Sequence, residues 1–517
     1  MIKKLLKFAA GSLLGLVLIA AVFFFAGVYF PLTPAHPGEQ SAQLLITNLT
    51  VIDPASGAVL KNHDILIEGD VLIEVGTGVA APTARKIDGS GRYAIPGLFD
   101  MHVHTFKLSP WLTHPLFIAA GVTAVRDMGG CIGMDDPWVA CADDKRGWHA
   151  AASAGEMVGP RFDQVTSLAI NGGPEIPVGT DIQLGAPDPA GARTRVQFDA
   201  SRGIDFLKPY SMLSRDAYLA LAQAANNQQT YLAGHKPLAV SGLEAVAAGQ
   251  RSIEHAFLFI WECYPGIEAL RLQADIRAAY THETRREMLT QHDRQTCDAL
   301  QRAMAAAGTA FVPTHTTRKL DAYAADETFR SDPRLRYIPA PLRQLWLSDA
   351  NGMAARTSEE GLSSYREFYE FGIKQTGVAH RAGVTILAGT DAPDSFAFPG
   401  FALHDELEHI SLAGLSSMDV LRTATSEPAR FLGLEGKAGT IAAGARSDIV
   451  LLNSNPLDDI NAVRDIDTVI LAGTAYDRQR LDGYLQLVEE HANHWSIWPK
   501  FLWQALRSPI MRRQFAD

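Results

Sequence analysis

Residues that can bind divalent metal ions recur along the chain, each at the end of a short apolar run. Imidazole nitrogens suit zinc and its divalent neighbours, and a carboxylate completes such a site when one coordination position must stay open. The runs are continuously apolar and contain β-branched residues, a pattern typical of buried parallel strands. The candidate metal ligands, in chain order, are His102, His104, Lys208, His235, His255 and Asp391.

The first two candidates lie two residues apart in the strand-like segment 94–104. Residues two apart on a strand project to one face, so both imidazoles can reach a single ion. A His-X-His pair alone is weak evidence, because any half-buried strand can carry one. The set is stronger than its members: Asp391 ends the apolar run 383–391, and Lys208, His235 and His255 end three further runs.

With this order of residues, the chain resembles the amidohydrolase superfamily, in its imidazolonepropionase-like and prolidase-like (Xaa-Pro dipeptidase type) branch. The resemblance runs from about Leu44 to Tyr476 and includes the segments 121–130, 404–407, 424–429 and 439–452. The family typically has Ala-Asp where this chain has Ser447-Asp448. The resemblance implies two divalent ions, expected to be Zn²⁺. His102, His104 and Asp391 would hold one, His235 and His255 the other, with N6-carboxylated Lys208 as the bridge.

Lys208 distinguishes this branch from the mononuclear deaminases of the same superfamily, which lack the lysine and carry a glutamate near the third histidine. Here Lys236-Pro237 follows His235. Burial lowers the pKa of a lysine and leaves a neutral amine that can add carbon dioxide. In the alternative interpretation, Lys208 forms an ordinary salt bridge with Asp205 or Asp127.

The predicted function is hydrolysis of a C–N amide bond in a small molecule, a dipeptide or an N-acyl amino acid. Two divalent ions would activate a water as hydroxide and polarise the scissile carbonyl, with Asp391 as general base and then acid. Tyr210 is a candidate donor to the developing oxyanion and a candidate substrate-binding residue. The alternatives are a cyclic amide, carbamate or ester hydrolase with the same site, and a non-catalytic metal-binding barrel scaffold.

Basic residues near the predicted strand ends are candidates for binding a substrate carboxylate. They are Arg126 and His315, with Arg318 and Lys319 as further options.

The elements that must position these residues alternate between strand and helix. Strand-like runs recur near residues 97–104, 120–127, 160–169, 203–208, 230–235, 251–255, 308–314 and 384–391. This alternation predicts an α/β fold, a (β/α)8 TIM barrel, whose active site lies at the carboxyl ends of the strands. Residues 265–296 and 320–370 are long for barrel loops and are expected to form helical lids.

The predicted domain order places the metal-dependent barrel at 96–432, between two β-rich pieces at 43–95 and 433–477. By the resemblance, the two pieces form one small composite β-sandwich. A helical tail follows at 478–517, and its aromatic and basic residues suit a membrane surface as well as packing against the barrel or another subunit. A homo-oligomer therefore remains one option.

The N-terminus, residues 1–30, carries Lys3, Lys4 and Lys7 before an uncharged apolar run from Phe8 to Phe30. That length suits one transmembrane helix, followed by a linker at 31–42. Basic residues before the span predict a catalytic domain outside the cytoplasm, periplasmic in a bacterium. The alternative is a signal sequence and a secreted protein.

The four cysteines form two local pairs, Cys131 with Cys141 and Cys263 with Cys297, which suits disulfides outside the cytoplasm. Free buried thiols are the alternative. The balance of 46 basic and 57 acidic residues is mildly acidic, and no basic stripe indicates a nucleic-acid partner.

Overall fold

The structure is a computed structural model that describes residues 2–131, 135–166, 168–172, 185–273, 276 and 279–511. The end of the predicted tail, 512–517, lies outside these residues, as does residue 167 within the third predicted strand. The strands are β1 Gln43–Asp53, β2 Ala58–Glu68, β3 Val71–Gly76, β4 Arg85–Asp88, β5 Tyr93–Pro96, β6 Leu98–Val103, β7 Val122–Asp127, β8 Arg161–Phe162, β9 Phe206–Leu207, β10 Tyr231–Gly234, β11 Ser252–Glu254, β12 Ala310–Val312, β13 Ile449–Leu452, β14 Ile466–Leu471 and β15 Thr474–Asp477.

Helices lie between and after these strands. They are α1 Ile2–Tyr29, α2 Ser109–Leu112, α3 His114–Ala119, α4 Ala142–Ser153, α5 Pro189–Ala200, α6 Arg215–Asn227, α7 Gly242–Ala247, α8 Leu258–Glu262, α9 Ile267–Arg271, α10 His282–Thr290, α11 Arg294–Ala307, α12 His315–Tyr323, α13 Glu327–Arg330, α14 Ala340–Arg356, α15 Glu359–Arg381, α16 Phe401–Leu412, α17 Ser417–Thr423, α18 Ser426–Phe431, α19 Arg478–Asn493 and α20 Ile497–Arg507, with short 3-10 helices at Pro333–Tyr337 and Ile460–Arg464. The chain is therefore a mixed α/β protein.

Strands from both ends of the chain form one eight-stranded sheet in the order β15-β14-β13-β5-β1-β2-β3, with β4 beside β1. The N-terminal and C-terminal halves meet where β13 runs antiparallel to β5. An antiparallel bridge between Val71 and Arg446 brings the edge strand β3 back towards the other half. The two β-rich pieces thus fold as one unit, and the predicted domain boundaries stay a prediction.

The central strands pair in parallel, which places all their carboxyl ends at one edge. One sheet has the order β6-β7-β8 and the other β12-β11-β10-β9. Isolated parallel bridges join Thr166 to Phe206, Phe311 to Ile386 and Val103 to Ala392. The succession of parallel pairs therefore starts at β6 and returns to it through residues 386–392.

Local sequence explains why helices separate these strands. In α6, the Ser214 side chain accepts a hydrogen bond from the Ala217 backbone N–H, which satisfies a donor that the first turn leaves free. Its apolar residues, among them Tyr218 and Leu221, are fully buried on one side. α11 ends at Gly308, whose φ of 70° is the left-handed conformation that glycine adopts at helix ends. The described parts of the insertions at 265–296 and 320–370 also contain helices, α9 and α10 in the first and α14 and α15 in the second.

The predicted cysteine pairs are confirmed: Cys131 is bonded to Cys141 and Cys263 to Cys297. At the N-terminus, the segment Phe8–Tyr29 of α1 is long and apolar enough to cross a membrane. A membrane anchor and a signal sequence both have these properties.

Candidate metal centre

Two histidines and an aspartate meet at the carboxyl end of β6. The Nε2 atoms of His102 and His104 lie 3.1 Å and 3.0 Å from Oδ1 of Asp391. The Asp391 backbone N–H donates to the His102 carbonyl over 2.7 Å, which fixes the aspartate beside β6. Asp391 has a φ of 64°, a costly left-handed conformation for a non-glycine residue. The backbone is thus held in a form that aims this carboxylate at both imidazoles.

His235 and His255 form the other side of the cluster. Their Nε2 atoms face each other at 2.8 Å. Nδ1 of His235 lies 2.8 Å from the Ser211 hydroxyl, and Nδ1 of His255 lies 2.9 Å from the Thr314 hydroxyl. These hydroxyls orient the two rings. Burial lowers the pKa of His255 to about 3 and that of His235 well below its ordinary value, so both imidazoles are neutral and have a free electron pair for a metal.

Lys208 lies beside the first group of candidate ligands. Its Nζ is 3.5 Å from Nε2 of His104, and burial lowers the pKa of this lysine. The alternative salt bridges do not form, because Asp127 pairs with Lys145 at 2.6 Å and Asp205 with Arg146 at 3.4 Å. Lys208 therefore points at the cluster with a lowered pKa, as carboxylation of its amine requires.

Glu254 is a site residue that the sequence reasoning missed. Its Oε2 lies 3.1 Å from Nδ1 of His102, and its Oε1 accepts from Arg126 over 2.9 Å. Burial alone would raise the pKa of Glu254, but Arg126 and His102 outweigh it and hold the pKa at about 2. Burial also lowers the pKa of His102, yet Asp391 and Glu254 raise it above its usual value. An acidic residue inside a fully buried strand, next to His255, was the available signal.

The donor set fits a divalent metal ion. His102, His255 and Asp391 each offer one ligand atom, and these atoms all lie within 4.8 Å of one another. Nε2 of His102 is buried, and the carboxylate of Asp391 faces it at 3.1 Å. Buried imidazole nitrogens and a carboxylate this close together are the donor types that hold a divalent ion.

Tyr210 lies over the cluster. Its ring centroid is 4.1 Å from that of His235. Burial, reinforced by the nearby Asp391, raises the pKa of Tyr210 to about 12. The hydroxyl therefore keeps its proton at neutral pH and is available as a donor.

A cavity of about 290 Å³ opens beside the cluster and is lined by His235, Glu254 and His255 at one end. Most of its wall is apolar or aromatic, and the aromatic lining residues are Phe257, Trp261, Tyr280, Tyr365, Phe368 and Tyr369. Arg318 also lines it, stacked 5.0 Å from the Phe257 ring and paired with Asp321 at 2.7 Å. Lys236 lines it as well, paired with Glu262 at 3.0 Å, so the cavity combines an apolar wall with two cations beside the candidate ligands.

The other two predicted substrate-binding residues, Arg126 and His315, lie elsewhere. Both are fully buried and neither lines the cavity. Arg126 donates to the Met101 carbonyl, Ser252 and Glu254, while the Nε2 atom of His315 lies 2.9 Å from the Thr376 hydroxyl. The prediction that these two residues bind a substrate carboxylate rested on their positions near strand ends. It needs correction, because the sequence did not show that both side chains are buried. Arg126 instead donates a hydrogen bond to the Glu254 carboxylate and balances its charge.

Comparisons with known proteins agree with this geometry. Residues 372–476 match the amidohydrolase family. A 62-residue segment is 45% identical to the dihydroorotase of Syntrophotalea carbinolica, over 12% of this chain and 14% of that enzyme. A 79-residue segment is 46% identical to the dihydroorotase of Citrifermentans bemidjiense, over 15% of this chain and 18% of that enzyme. The aligned segments span less than a fifth of either relative.

Solved structures match over most of the chain. A bottromycin amidohydrolase superposes with a TM-score of 0.70 at 22% identity, over 91% of this chain and 94% of its own. A Xaa-Pro dipeptidase with methionine bound in its active site gives a TM-score of 0.59 at 20% identity, over 84% and 100%. At these identities the likeness concerns the fold.

Fold and site together define a mixed α/β protein with a candidate metal centre. The family match over residues 372–476 and the fold likeness to a bottromycin amidohydrolase agree with the superfamily resemblance that the motifs indicated.

Proposed function

We propose that this protein is a binuclear metal-dependent amidohydrolase that cleaves a C–N amide bond in a dipeptide or an N-acyl amino acid. The observation that carries the proposal is the convergence of all six predicted ligands. His104 contacts both Asp391 and Lys208, Asp391 contacts His102, and His255 contacts His235. Side chains from distant parts of the sequence meet with the residue types that bind zinc.

The scaffold we propose for this site is a (β/α)8 barrel. The unbroken succession of parallel pairs, from β6 through β12 and residues 386–392 back to β6, supports it. All six ligands follow carboxyl ends of these strands or lie within them, which is where barrel enzymes have their active sites. A composite β-sandwich beside the barrel is part of the same proposal.

His102, His104 and Asp391 would hold one divalent ion, His235 and His255 the second, and N6-carboxylated Lys208 would bridge them. When bound, such ions lower the pKa of a water and polarise the scissile carbonyl.

Asp391 takes a proton from the attacking water and gives it to the leaving nitrogen, so water and amide become acid and amine. The Tyr210 hydroxyl donates to the developing oxyanion. Glu254 holds the ring of His102 in place.

The cavity indicates which groups the substrate carries beside the scissile amide. Its volume of about 290 Å³ and its aromatic wall suit one apolar side chain or acyl group. Of the two cations that line the cavity, Lys236 is already held by Glu262 and two backbone carbonyls, so we assign Arg318 to the substrate carboxylate, which a dipeptide and an N-acyl amino acid both carry. The prolidase-like branch is therefore the one we favour.

The test combines metal analysis with a substrate screen on the detergent-solubilised full chain. We expect the wild type to hold two metal ions per chain and to release amine from dipeptides or N-acyl amino acids. The Lys208→Ala variant should hold fewer ions and should lose this amine release. Lys319→Ala is the matched control, because Lys319 does not line the cavity. Addition of ¹³C-labelled carbon dioxide should give a carbamate NMR signal that Lys208→Ala lacks.

Other outcomes contradict parts of the proposal. One metal ion per chain, unaffected by Lys208→Ala, would exclude the bridge, and released ammonia would indicate a deaminase. Two ions without amide turnover would redirect the search to cyclic amides, carbamates and esters.

We further propose that α1 anchors the enzyme in a membrane, with the catalytic domain outside the cytoplasm and, in a bacterium, in the periplasm. Lysines before the apolar helix support this orientation. The disulfides support an oxidising compartment. Protease accessibility of the domain in intact and permeabilised cells tests this orientation.

A further inference from the structure

Helix α20 has two apolar faces, although a surface helix needs only one. Ile497 and Phe501 are buried in a cluster with Phe106 and Leu112. On other positions, four residues apart, Trp498, Leu502 and Leu506 remain 44%, 51% and 56% exposed. Trp495, just before the helix, is 47% exposed. We call these four exposed residues, Trp495, Trp498, Leu502 and Leu506, the outer face.

The last turns of α1 pack against α20. The rings of Phe24 and Phe25 meet that of Trp503 edge to face, with centroids 6.2 Å and 5.4 Å apart. The Lys500 ammonium donates to the Val28 carbonyl over 2.8 Å. The last turn of α1 has no basic residue of its own, so Lys500 satisfies a carbonyl that the helix end leaves free and complements the helix dipole.

Gly27 shows how close this contact is. A Cβ built on Gly27 would lie 2.6 Å from Cγ of Pro499 and 2.9 Å from Cζ3 of Trp495. The glycine therefore permits α1 to pass directly beside the start of α20. On the same helix, a Cβ at Gly15 would meet nothing within 4 Å. The two glycines form a matched pair for an experiment.

The position of α20 relative to α1 identifies what covers the outer face. The 22 residues Phe8–Tyr29 are apolar and have the length of a membrane span, and α20 contacts them where that segment ends. Tryptophan is enriched at the boundary between acyl chains and headgroups, and amphipathic helices lie in that plane. An apolar face at this level, continuous with the span, suits lipid rather than water.

We propose that α1 is retained in the mature protein and that the outer face of α20 lies in the interfacial layer of the bilayer that α1 crosses. This inference rests on the anchor proposed above and is independent of the catalytic proposal. It has one consequence for the site. Since α20 packs on Phe106, two residues after His104, the ligand end of β6 is held close to the membrane surface.

The test uses the full chain in vesicles of phosphatidylcholine and phosphatidylglycerol. Leu502→Cys is labelled with an environment-sensitive fluorophore; the four native cysteines are all in disulfides. Leu412→Cys is the control, since Leu412 is 69% exposed at the end of α16. We expect the label at position 502 to shift to shorter wavelength and to be quenched by nitroxide lipids. The label at position 412 should be quenched by aqueous iodide.

A second pair of variants tests the role of α1. Gly27→Leu should reduce lipid quenching at position 502, because it separates α1 from α20, whereas Gly15→Leu should leave the quenching unchanged. Identical behaviour of the two labels in vesicles would overturn the proposal. A second result would also overturn it: lipid quenching and an emission shift at position 502 that weaken as the lipid-to-protein ratio rises. Such a dependence on dilution would mean that a second copy of the chain, and not lipid, covers the outer face. An intact mass lacking α1 would show a cleaved signal sequence and overturn it as well.

Discussion

The metal cluster and the cavity beside it were visible in the sequence to very different degrees. Every proposed ligand ends a strand-like run, and the structure brings all six together. The cavity wall comes from α8, α12, α15 and residues before α10, which contribute Trp261, Arg318, Phe368 and Tyr280. The proposed ligands thus lie where parallel strands end together, while the cavity wall comes largely from helices whose sequence carries no comparable pattern.

The largest expected effect tests the cluster itself. Asp391→Asn removes the carboxylate that contacts both imidazoles of the His-X-His pair, and we expect turnover to fall by about 10²- to 10⁴-fold. The measurement is kcat on the best substrate of the screen, with metal content determined in parallel. Asp419→Asn, which changes a half-buried ion pair with Arg422 in α17, is the control. Wild-type turnover in Asp391→Asn would remove this residue from the reaction.

The next effect shows whether Arg126 stabilises Glu254 behind the metal cluster or binds substrate. Arg126→Met leaves the Glu254 carboxylate buried without its cation, and we expect the free energy of unfolding to fall by about 3–5 kcal/mol. KM of the folded fraction should not change. Urea unfolding and steady-state kinetics measure the two quantities. A raised KM at unchanged stability would restore Arg126 as a substrate ligand and refute its role behind Glu254.

Glu254→Gln tests the residue that the sequence reasoning missed. Loss of the carboxylate behind His102 should weaken metal affinity by about 10- to 100-fold. Chelator competition measures that affinity, and excess Zn²⁺ should restore kcat, because the fully buried Glu254 carboxylate acts through the imidazole of His102. Glu427→Gln, at an exposed pair with Arg430, should behave as wild type. A defect in kcat that excess metal does not restore would contradict a positioning role.

The smallest expected effect concerns the cavity. Arg318→Met should raise KM for substrates with a free carboxylate by about 10- to 100-fold, the equivalent of one charge-assisted hydrogen bond of roughly 1.5–3 kcal/mol. Carboxamide analogues should show no such change, and Lys319→Met should keep the wild-type KM for both. An equal rise for acids and carboxamides would mean that Arg318 shapes the cavity without binding the carboxylate.

The sequence by itself determined the alternation of strands and helices, the ligand types and the cysteine pairs. These follow from local rules: apolar runs form buried strands, and polar residues at their ends face one edge of a parallel sheet. The resemblance to the superfamily could be recognised for the same reason. His102 and His104 needed only their spacing on one strand to be placed together.

Only the tertiary structure decided which buried polar residues support the site and which groups line the cavity. Arg126 follows the same kind of apolar run as the ligands, yet it is fully buried and pairs with Glu254, 128 positions away. Arg318, by contrast, lies in α12 and lines the cavity. The contact of α20 with α1 likewise joins the two ends of the chain. Such partners are set by packing between distant segments, and their energies depend on burial that no single segment encodes.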